Sequence, residues 1–204
     1  MSKKVLVACE YSGIVRDAFI EEGFDAVSVD LRPSERGNPH IQYDVMQIVE
    51  REEYDYFDLM VAHPPCTYLS NSGVRWLYEN EDRWQDMIEG AVFFRKILNA
   101  NIPHIAVENP VMHKWAKKVI GEDYTQSVQP YEFGHPKSKR TCFWLKNLPK
   151  LEPTNVLERE SGTWDNQTPS GQNKLGPGED RAKKRSKFWP NMAEAMAKQW
   201  GDVL

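Results

Sequence analysis

A cysteine set behind two prolines is the first candidate for chemistry in this chain. The stretch "VAHPPCTYLSNSG" (61–73) ends an apolar run in Pro64 and Pro65, presents Cys66, and continues with Thr67, Ser70, Asn71, Ser72 and Gly73. Prolines restrict the backbone on the approach, and small polar residues afterwards can form a loop over a substrate. That setting suits a nucleophile, the alternative being a buried structural thiol. A second candidate, Glu108, closes the run "AVENP" (106–110) with Asn109 beside it. A carboxylate that follows apolar or small residues loses hydration, which raises its pKa and lets it carry a proton near neutrality. The other reading is a surface Glu capping the next helix. Together, acid and thiol suit attack on an electron-poor ring with protonation of a ring nitrogen.

A third constellation could hold a cofactor. "ACEYSGIVRDAF" (8–19) joins an apolar run to a helical one, and its Glu10, Tyr11, Ser12 and Gly13 form the turn where backbone N–H groups can meet an anionic or polar ligand. Asp30, with Leu31 after it, is placed to bind ribose hydroxyls. Asp44, with Val45 after it, could accept from an adenine amino group. Pro65 completes the set across the rim. Each acid alone could equally be a helix cap; three run ends in register favour the cofactor.

These residues need a scaffold that brings run ends to one edge. "KVLVAC" (4–9), "DAVSVD" (25–30), "HIQYDV" (40–45), "FDLMVAHP" (57–64) and "HIAVEN" (104–109) read as strands, most of them continuously apolar. Helical spacing falls over 13–23 and 80–99, and again in "NMAEAMAKQWG" at the end of the chain. "YTQSVQPYEF" and "RTCFWL" form a final strand pair around the turn "GHPKSK". The alternation predicts an α/β protein with a doubly wound, mostly parallel, Rossmann-like sheet and an antiparallel final strand, its ligands at the strands' C-terminal ends. The expected organisation is a catalytic domain over 1–149, an irregular arm rich in Pro and Gly over 150–189, and a helix over 190–204 that packs back on the domain.

Bulk properties narrow the function classes. The chain has 204 residues, 40% hydrophobic and 27% charged, which is enough for a core. Its three cysteines (Cys9, Cys66 and Cys142) are far apart, so neither a zinc ribbon nor a disulfide framework is expected. The histidines lack ligand-like spacing, and no metal is expected. No stretch is apolar over the length of a membrane span, and the N-terminal apolar run is too short for a signal peptide. Those features predict a cytoplasmic protein without a membrane partner. Net charge is −4, yet "RAKKRSK" (181–187) carries five basic residues and no acid, either a solvated run or a phosphate-contacting patch.

Taken together, the motifs resemble the DNA cytosine-C5 methyltransferase family, in particular its short, phage-type members. "PCTYLSNSG" (65–73) is similar to the family's nucleophile loop, with Pro65, Cys66, Ser70 and Gly73 in register. "ENP" (108–110) resembles its Glu-Asn-Val motif, and "YEFGHPKSKRTCFWL" (131–145) its aromatic-Gly-x-Pro turn and basic strand. "CEYSGIVRDAF" stands in the place of its first motif, and "RSKFWPNMAEAMAKQW" resembles the closing motif that packs beside the cofactor. The resemblance implies a fold of the S-adenosylmethionine-dependent methyltransferase type. It further implies that Cys66 adds to C6 of a cytosine in DNA, that Glu108 protonates N3, and that S-adenosylmethionine supplies a methyl group to C5. Asp30 would then bind the ribose and Asp44 the adenine. Lys139 or Arg140 would contact the base or a phosphate, and Ser70, Asn71, Asn109 and Lys137 would line the substrate. A base inside a duplex would have to be flipped out.

The chain departs from that pattern at four points. Cys9 and Tyr11 replace the aromatic residue and the first glycine of the first motif, and Thr67 stands where Gln is usual. The basic motif offers Lys137, Lys139 and Thr141, or a shifted Arg140, in place of three matched positions, and no large target-recognition region separates the sheet from the last helix. Base-edge readout needs a scaffold in a groove, so selectivity is expected to be slight, or supplied by a homodimer or an accessory protein. Two rival readings stay open. One is C5-directed modification of a pyrimidine in a free nucleotide or RNA, or with a different donor. The other is a non-catalytic, nucleic-acid-binding relative.

Overall fold

The structure is a computed structural model that describes residues 2–51, 56–159, 162–171, 173–175 and 187–204. Seven strands form one sheet in the order β3-β2-β1-β4-β5-β7-β6. They are β1 (Lys4–Ala8), β2 (Asp25–Asp30), β3 (His40–Gln42), β4 (Leu59–Ala62), β5 (His104–Pro110), β6 (Gln126–Val128) and β7 (Thr141–Lys146). β1 to β5 pair in parallel, while β7 runs antiparallel to both of its neighbours, β5 and β6. This is the expected Rossmann-like, doubly wound, mostly parallel sheet with an antiparallel final strand. The strand order reverses between β1 and β4, and the crevice beyond the C-terminal ends there is where such sheets bind ligands.

The strands carry near-continuous apolar sequence because both of their faces are covered. Leu6, Ala8, Met60, Ala62, Ile105 and Val107 point into one core with Phe94 and Ile97. Their alternates, Val5, Val7, Leu59, Val61 and Ala106, point into a second core with Phe19, Met196 and Trp200. The first layer is built from α4 (Asp82–Leu98) and α5 (Lys114–Ile120), preceded by the short helices α2 (Met46–Val49) and α3 (Trp76–Glu79). In α4, Met87, Ala91, Phe94 and Leu98 are buried along one face, as the helical spacing requires. The second layer pairs α1 (Ile14–Glu21) with α6 (Pro190–Gly201), whose proline occupies the first turn, where no N–H is needed.

Three details differ from the sequence reading. The third strand stops at Gln42, because Tyr43 and Asp44 already turn into α2. The fourth stops at Ala62, since Pro64 and Pro65 have no N–H to continue the ladder. α5 went unread because its two turns are too short for a clear period. Its start is set instead by His113, whose Nδ1 accepts from the N–H of Ala116 at 3.1 Å.

The described part of the segment after β7 has little regular structure, yet it is anchored. The Gln126 amide exchanges hydrogen bonds with the backbone of buried Leu151, and Trp164 stacks on Tyr131 with ring centroids 4.8 Å apart. Asn166 exchanges hydrogen bonds with the backbone of Ser138. The basic run 181–187 lies outside the described residues except for Lys187. Among the described residues, no helix is long and apolar enough to cross a membrane, and no three His, Cys, Asp or Glu side chains cluster as a metal site would need.

Candidate functional site

Cys66 lies on an exposed turn just past β4, tied upstream to the end of β5 and downstream to the loop after it. The Cys66 carbonyl accepts from the N–H groups of Leu69 (3.1 Å) and Ser70 (3.0 Å), which closes the turn. Upstream, the buried Asn109 side chain donates to the Pro64 carbonyl at 2.9 Å. Downstream, Asn71 N–H donates to the Val111 carbonyl (2.8 Å), and His113 Nε2 donates to the Tyr68 carbonyl (3.0 Å). The prolines stiffen one side, and these cross-loop bonds fix the other. Ser70 and Asn71 thereby stand on the same rim, with the Ser70 hydroxyl 3.0 Å from that of Ser72.

Only one of the three thiols is placed for solution chemistry. Cys66 and its neighbours Pro65 and Thr67 are exposed. Burial pushes the Cys142 thiol up to about 12, with the nearby Glu108 charge acting in the same direction. Burial likewise pushes Cys9 far above the usual thiol range, helped by the charges of Asp30 and Asp44.

Glu108 ends up beside Cys66's anchor. It is buried at the end of β5, one residue before Asn109, in a register that sets Val107 opposite Ala62 of β4. Its Oε2 lies 3.4 Å from Nδ1 of His63, whose ring packs at 5.0 Å on Phe188. Among the described residues, three buried polar atoms at this edge have no hydrogen-bond partner: Glu108 Oε1, Asn109 Oδ1 and His63 Nε2. Such atoms are rare in folded proteins and ask for an explanation.

The protonation expected of Glu108 is corrected here. Burial does push its pKa up, but the His63 hydrogen bond and the positive charges of Lys139 and His63 outweigh it, and the net direction is downward. Glu108 rests as an anion. The sequence reading counted the desolvation and missed the partners, one of which comes from the neighbouring strand end and the other from the turn before β7.

That turn is itself braced. Gln129 Oε1 accepts from the Lys139 N–H at 3.1 Å, and the Gln129 N–H donates to Glu132 at 2.6 Å. Lys139 is half-buried and its charge reaches Glu108; Arg140 is exposed; Lys137 pairs with Asp165 at 3.3 Å and so faces the arm.

At the other side of the switch point, β1, β2 and the start of α2 bring the predicted cofactor residues to one edge. Asp30 and Asp44 both act on Cys9, which locates the two carboxylates around the end of β1. Asp30 Oδ1 accepts from the Arg32 N–H (2.9 Å) and Asp44 Oδ1 from the Met46 N–H (2.9 Å), so both double as local caps. Leu31, which follows Asp30, is 72% exposed, whereas Val45 is buried. The two carboxylates could accept from the hydroxyls and the amino group of a nucleoside.

The α1 turn, by contrast, is already filled. Buried Glu10 accepts from the N–H of Val15 (2.8 Å) and of Arg16 (3.3 Å), and the Ser12 hydroxyl donates to it at 2.9 Å. The helix N-terminus, expected to meet an anion, is thus satisfied by the chain's own carboxylate. Tyr11 is buried too, its ring covered by the Arg32 guanidinium at 4.5 Å. Gly13 adopts φ +74°, and a Cβ there would sit 2.6 Å from Nη2 of Arg16. Arg16 is fully buried and donates to Ser28, Ser34 and the carbonyls of Gly37 and Pro39, tying α1 to the loop after β2.

Several contributors escaped the sequence reading: His113, Gln129 and Phe188. His113 showed only as an unpatterned histidine. The signal that could have found it is its place directly before a short helical run, where a ring nitrogen can cap. Residues 187–189 cross the rim, since Lys187 pairs with Glu35 at 2.8 Å and Trp189 packs on His135 at 5.2 Å.

No protein-family model and no curated protein matches the chain. Among solved structures, a candidate DNA modification methyltransferase encoded within a prophage of E. coli aligns with a TM-score of 0.47 at 16% identity, over 76% of this chain and 52% of that one. The chain spans about half the length of that structure.

Proposed function

We propose that the protein methylates C5 of a cytosine in DNA through a covalent bond to Cys66. The observation that supports this reading is the set of unpartnered buried atoms, Glu108 Oε1, Asn109 Oδ1 and His63 Nε2, at the rim that also carries the exposed thiol. A cytosine edge offers a ring nitrogen, an amino group and a carbonyl, which can satisfy acceptors and a donor at once.

The Cys66 thiolate adds to C6, making an S–C6 bond, while a proton from the Glu108 carboxyl passes to N3. Glu108 acquires that proton as the base binds. A ring laid over the carboxylate excludes water and strengthens the desolvation that already opposes its anionic form. Lys139 lies close enough to balance the carboxylate before and after the transfer. The electron pair released at C5 then takes up the methyl group. Loss of the C5 proton expels the Cys66 thiolate, and the N3 proton returns to Glu108. Bound S-adenosylmethionine, its adenosine held by Asp30, Leu31 and Asp44, would supply the electrophilic methyl group. The net change is C–H to C–CH3 with release of one proton.

The test is incubation with 5-fluorocytosine DNA and S-adenosylmethionine, followed by mass spectrometry. Fluorine cannot leave as a proton does, so the expected result is an adduct on Cys66, absent in Cys66→Ser. Glu108→Gln should form it about 10²–10⁴-fold more slowly. No adduct that depends on Cys66 would overturn the proposal.

One observation favours a second reading, the same attack with a different donor. Glu10 occupies the α1 N-terminus, and S-adenosylmethionine brings a carboxylate of its own. Calorimetric titration separates the two readings. Binding that is lost in Asp30→Ala and Asp44→Ala supports S-adenosylmethionine, and no binding by the intact protein supports another donor.

A further inference from the structure

The region between the Cys66 turn and α5 carries aromatic rings and cations that the chemistry above does not use. Tyr68, two residues after Cys66, is 36% exposed, and the Arg83 guanidinium lies over its ring at 4.8 Å. Trp76 and Tyr78 on α3 are 43% and 66% exposed. The Tyr78 hydroxyl accepts from Trp115 Nε1 at 2.8 Å, and Trp84 packs edge-on against both Tyr78 (6.0 Å) and Trp115 (5.6 Å). The Arg75 guanidinium covers Trp76 at 4.5 Å, and the Lys114 ammonium covers Trp115 at 4.7 Å. The rings join through contacts into one face that begins at the nucleophile's own turn, because His113 beside Lys114 holds the Tyr68 carbonyl.

Of the charges on this face, Arg75 and Lys114 are exposed and Arg83 is half-buried. Among the described residues, Arg75, Arg83 and Lys114 form no ion pair, although Glu79, Glu81 and Asp82 stand on the adjoining turn. Arg83 Nε is buried and has no hydrogen-bond partner among the described residues. Rings with exposed faces, interleaved with cations that lack a carboxylate, match a polynucleotide strand, where bases stack and phosphates need neutralising. A free nucleotide would need only the site at Cys66 and Glu108. A duplex keeps its base faces internal, so exposed rings would find no base to stack on.

We infer that this α3–α4–α5 face docks an unpaired nucleic-acid strand flanking the target base, so that the substrate is a strand with unstacked bases and the face stands in for a target-recognition region. The inference rests on the C5-cytosine reading for the identity of the target base, and not for the docking itself. Tyr78 and Trp76 stack bases; Arg75 and Lys114 meet phosphates; Arg83 holds Tyr68 at the junction with the Cys66 turn.

The experiment is a fluorescence-anisotropy titration of a labelled single-stranded 12-mer containing one cytosine, repeated across a salt series and against its duplex. The expected result is tighter binding of the single strand. A Trp76→Ala/Tyr78→Ala variant should bind it about tenfold more weakly. An Arg75→Gln/Lys114→Gln variant should make the negative slope of log K on log salt shallower by roughly 1.4. Both pairs are exposed, and circular dichroism confirms that the variants stay folded. Unchanged single-strand affinity in both variants, a preference for the duplex, or no binding by the intact protein would each overturn the inference. Cys66→Ser should bind the strand as the intact protein does. Failure of the cytosine reading therefore shows as a missing adduct with docking intact, and failure of the docking inference as an adduct that the face variants leave unaffected.

Discussion

His63 Nδ1 and Glu108 Oε2 lie 3.4 Å apart at adjacent strand ends, and this contact decides the charge of the buried carboxylate. Burial alone would favour the neutral acid. The imidazole, with Lys139 beyond it, reverses that preference.

Removing the imidazole should therefore reverse the pH dependence that Glu108 contributes. With its folded pKa below the unfolded value, Glu108 stabilises the protein above the unfolded pKa, about 4.3, and that contribution is lost as pH falls through the folded pKa. In His63→Ala the carboxylate keeps its desolvation and loses a partner, so its pKa rises and ionisation opposes folding. The variant should be less stable than the parent by about 1–3 kcal/mol at pH 7.5, and the gap should narrow toward pH 4.5. Urea unfolding at the two pH values measures it. A gap that is constant with pH would mean that His63 only packs.

Thiol reactivity offers a second check. Cys66 is exposed, whereas burial raises the pKa of Cys9 and Cys142, leaving little thiolate at neutral pH. Iodoacetamide on the native protein should add one label, at Cys66, and three after denaturation. Cys66→Ser should take none while folded, with stability changed by less than about 0.5 kcal/mol. Prompt native labelling of Cys142 would show that the β5–β7 edge opens.

Much of this was legible in the sequence, and the rest was not for identifiable reasons. Continuous apolar runs such as "LMVA" mark strands covered on both faces, so the sheet and the edge that carries Cys66 follow from local pattern. The positions of Cys66 and Glu108 follow from topology once the strand order is known. The charge of Glu108 does not, since it depends on His63 and Lys139, which are 45 and 31 residues away in sequence. Glu10 reads as a ligand-facing acid because nothing local shows that its carboxylate turns back onto the N–H groups of Val15 and Arg16. Contacts of that kind are made by the fold and leave no periodic trace.

Gly13 tests the cofactor side of the switch point. Its φ of +74° costs any L side chain about 1 kcal/mol or more, and the added Cβ would press on Nη2 of Arg16 at 2.6 Å. Arg16 cannot swing away, because its guanidinium already holds Ser28, Ser34 and the carbonyls of Gly37 and Pro39. Gly13→Ala should therefore destabilise by about 2–4 kcal/mol, strain and disturbed buried hydrogen bonds together. A loss below about 1 kcal/mol would show that the 34–39 loop moves freely with Arg16.

His113 links the Cys66 turn to α5 and carries the last prediction. Nδ1 accepts from Ala116 N–H and Nε2 donates to the Tyr68 carbonyl, so both nitrogens are committed in the neutral ring. A proton added at Nδ1 would face an N–H, and burial lowers the pKa in the same sense. For a histidine depressed in the folded state, the unfolded chain binds the proton first, near pH 6.5. Stability then falls as pH drops below that value, until the folded pKa is passed. Asn at this position still caps a helix but does not titrate. His113→Asn should consequently lose less stability than the parent between pH 7.5 and pH 5.5. It should also speed hydrogen exchange at Leu69 and Ser70, whose N–H groups close the Cys66 turn, because the Tyr68 carbonyl loses its donor. Equal acid sensitivity in the two proteins would mean that His113 takes up a proton inside the fold, and the tie between Tyr68 and α5 would then break under mild acid.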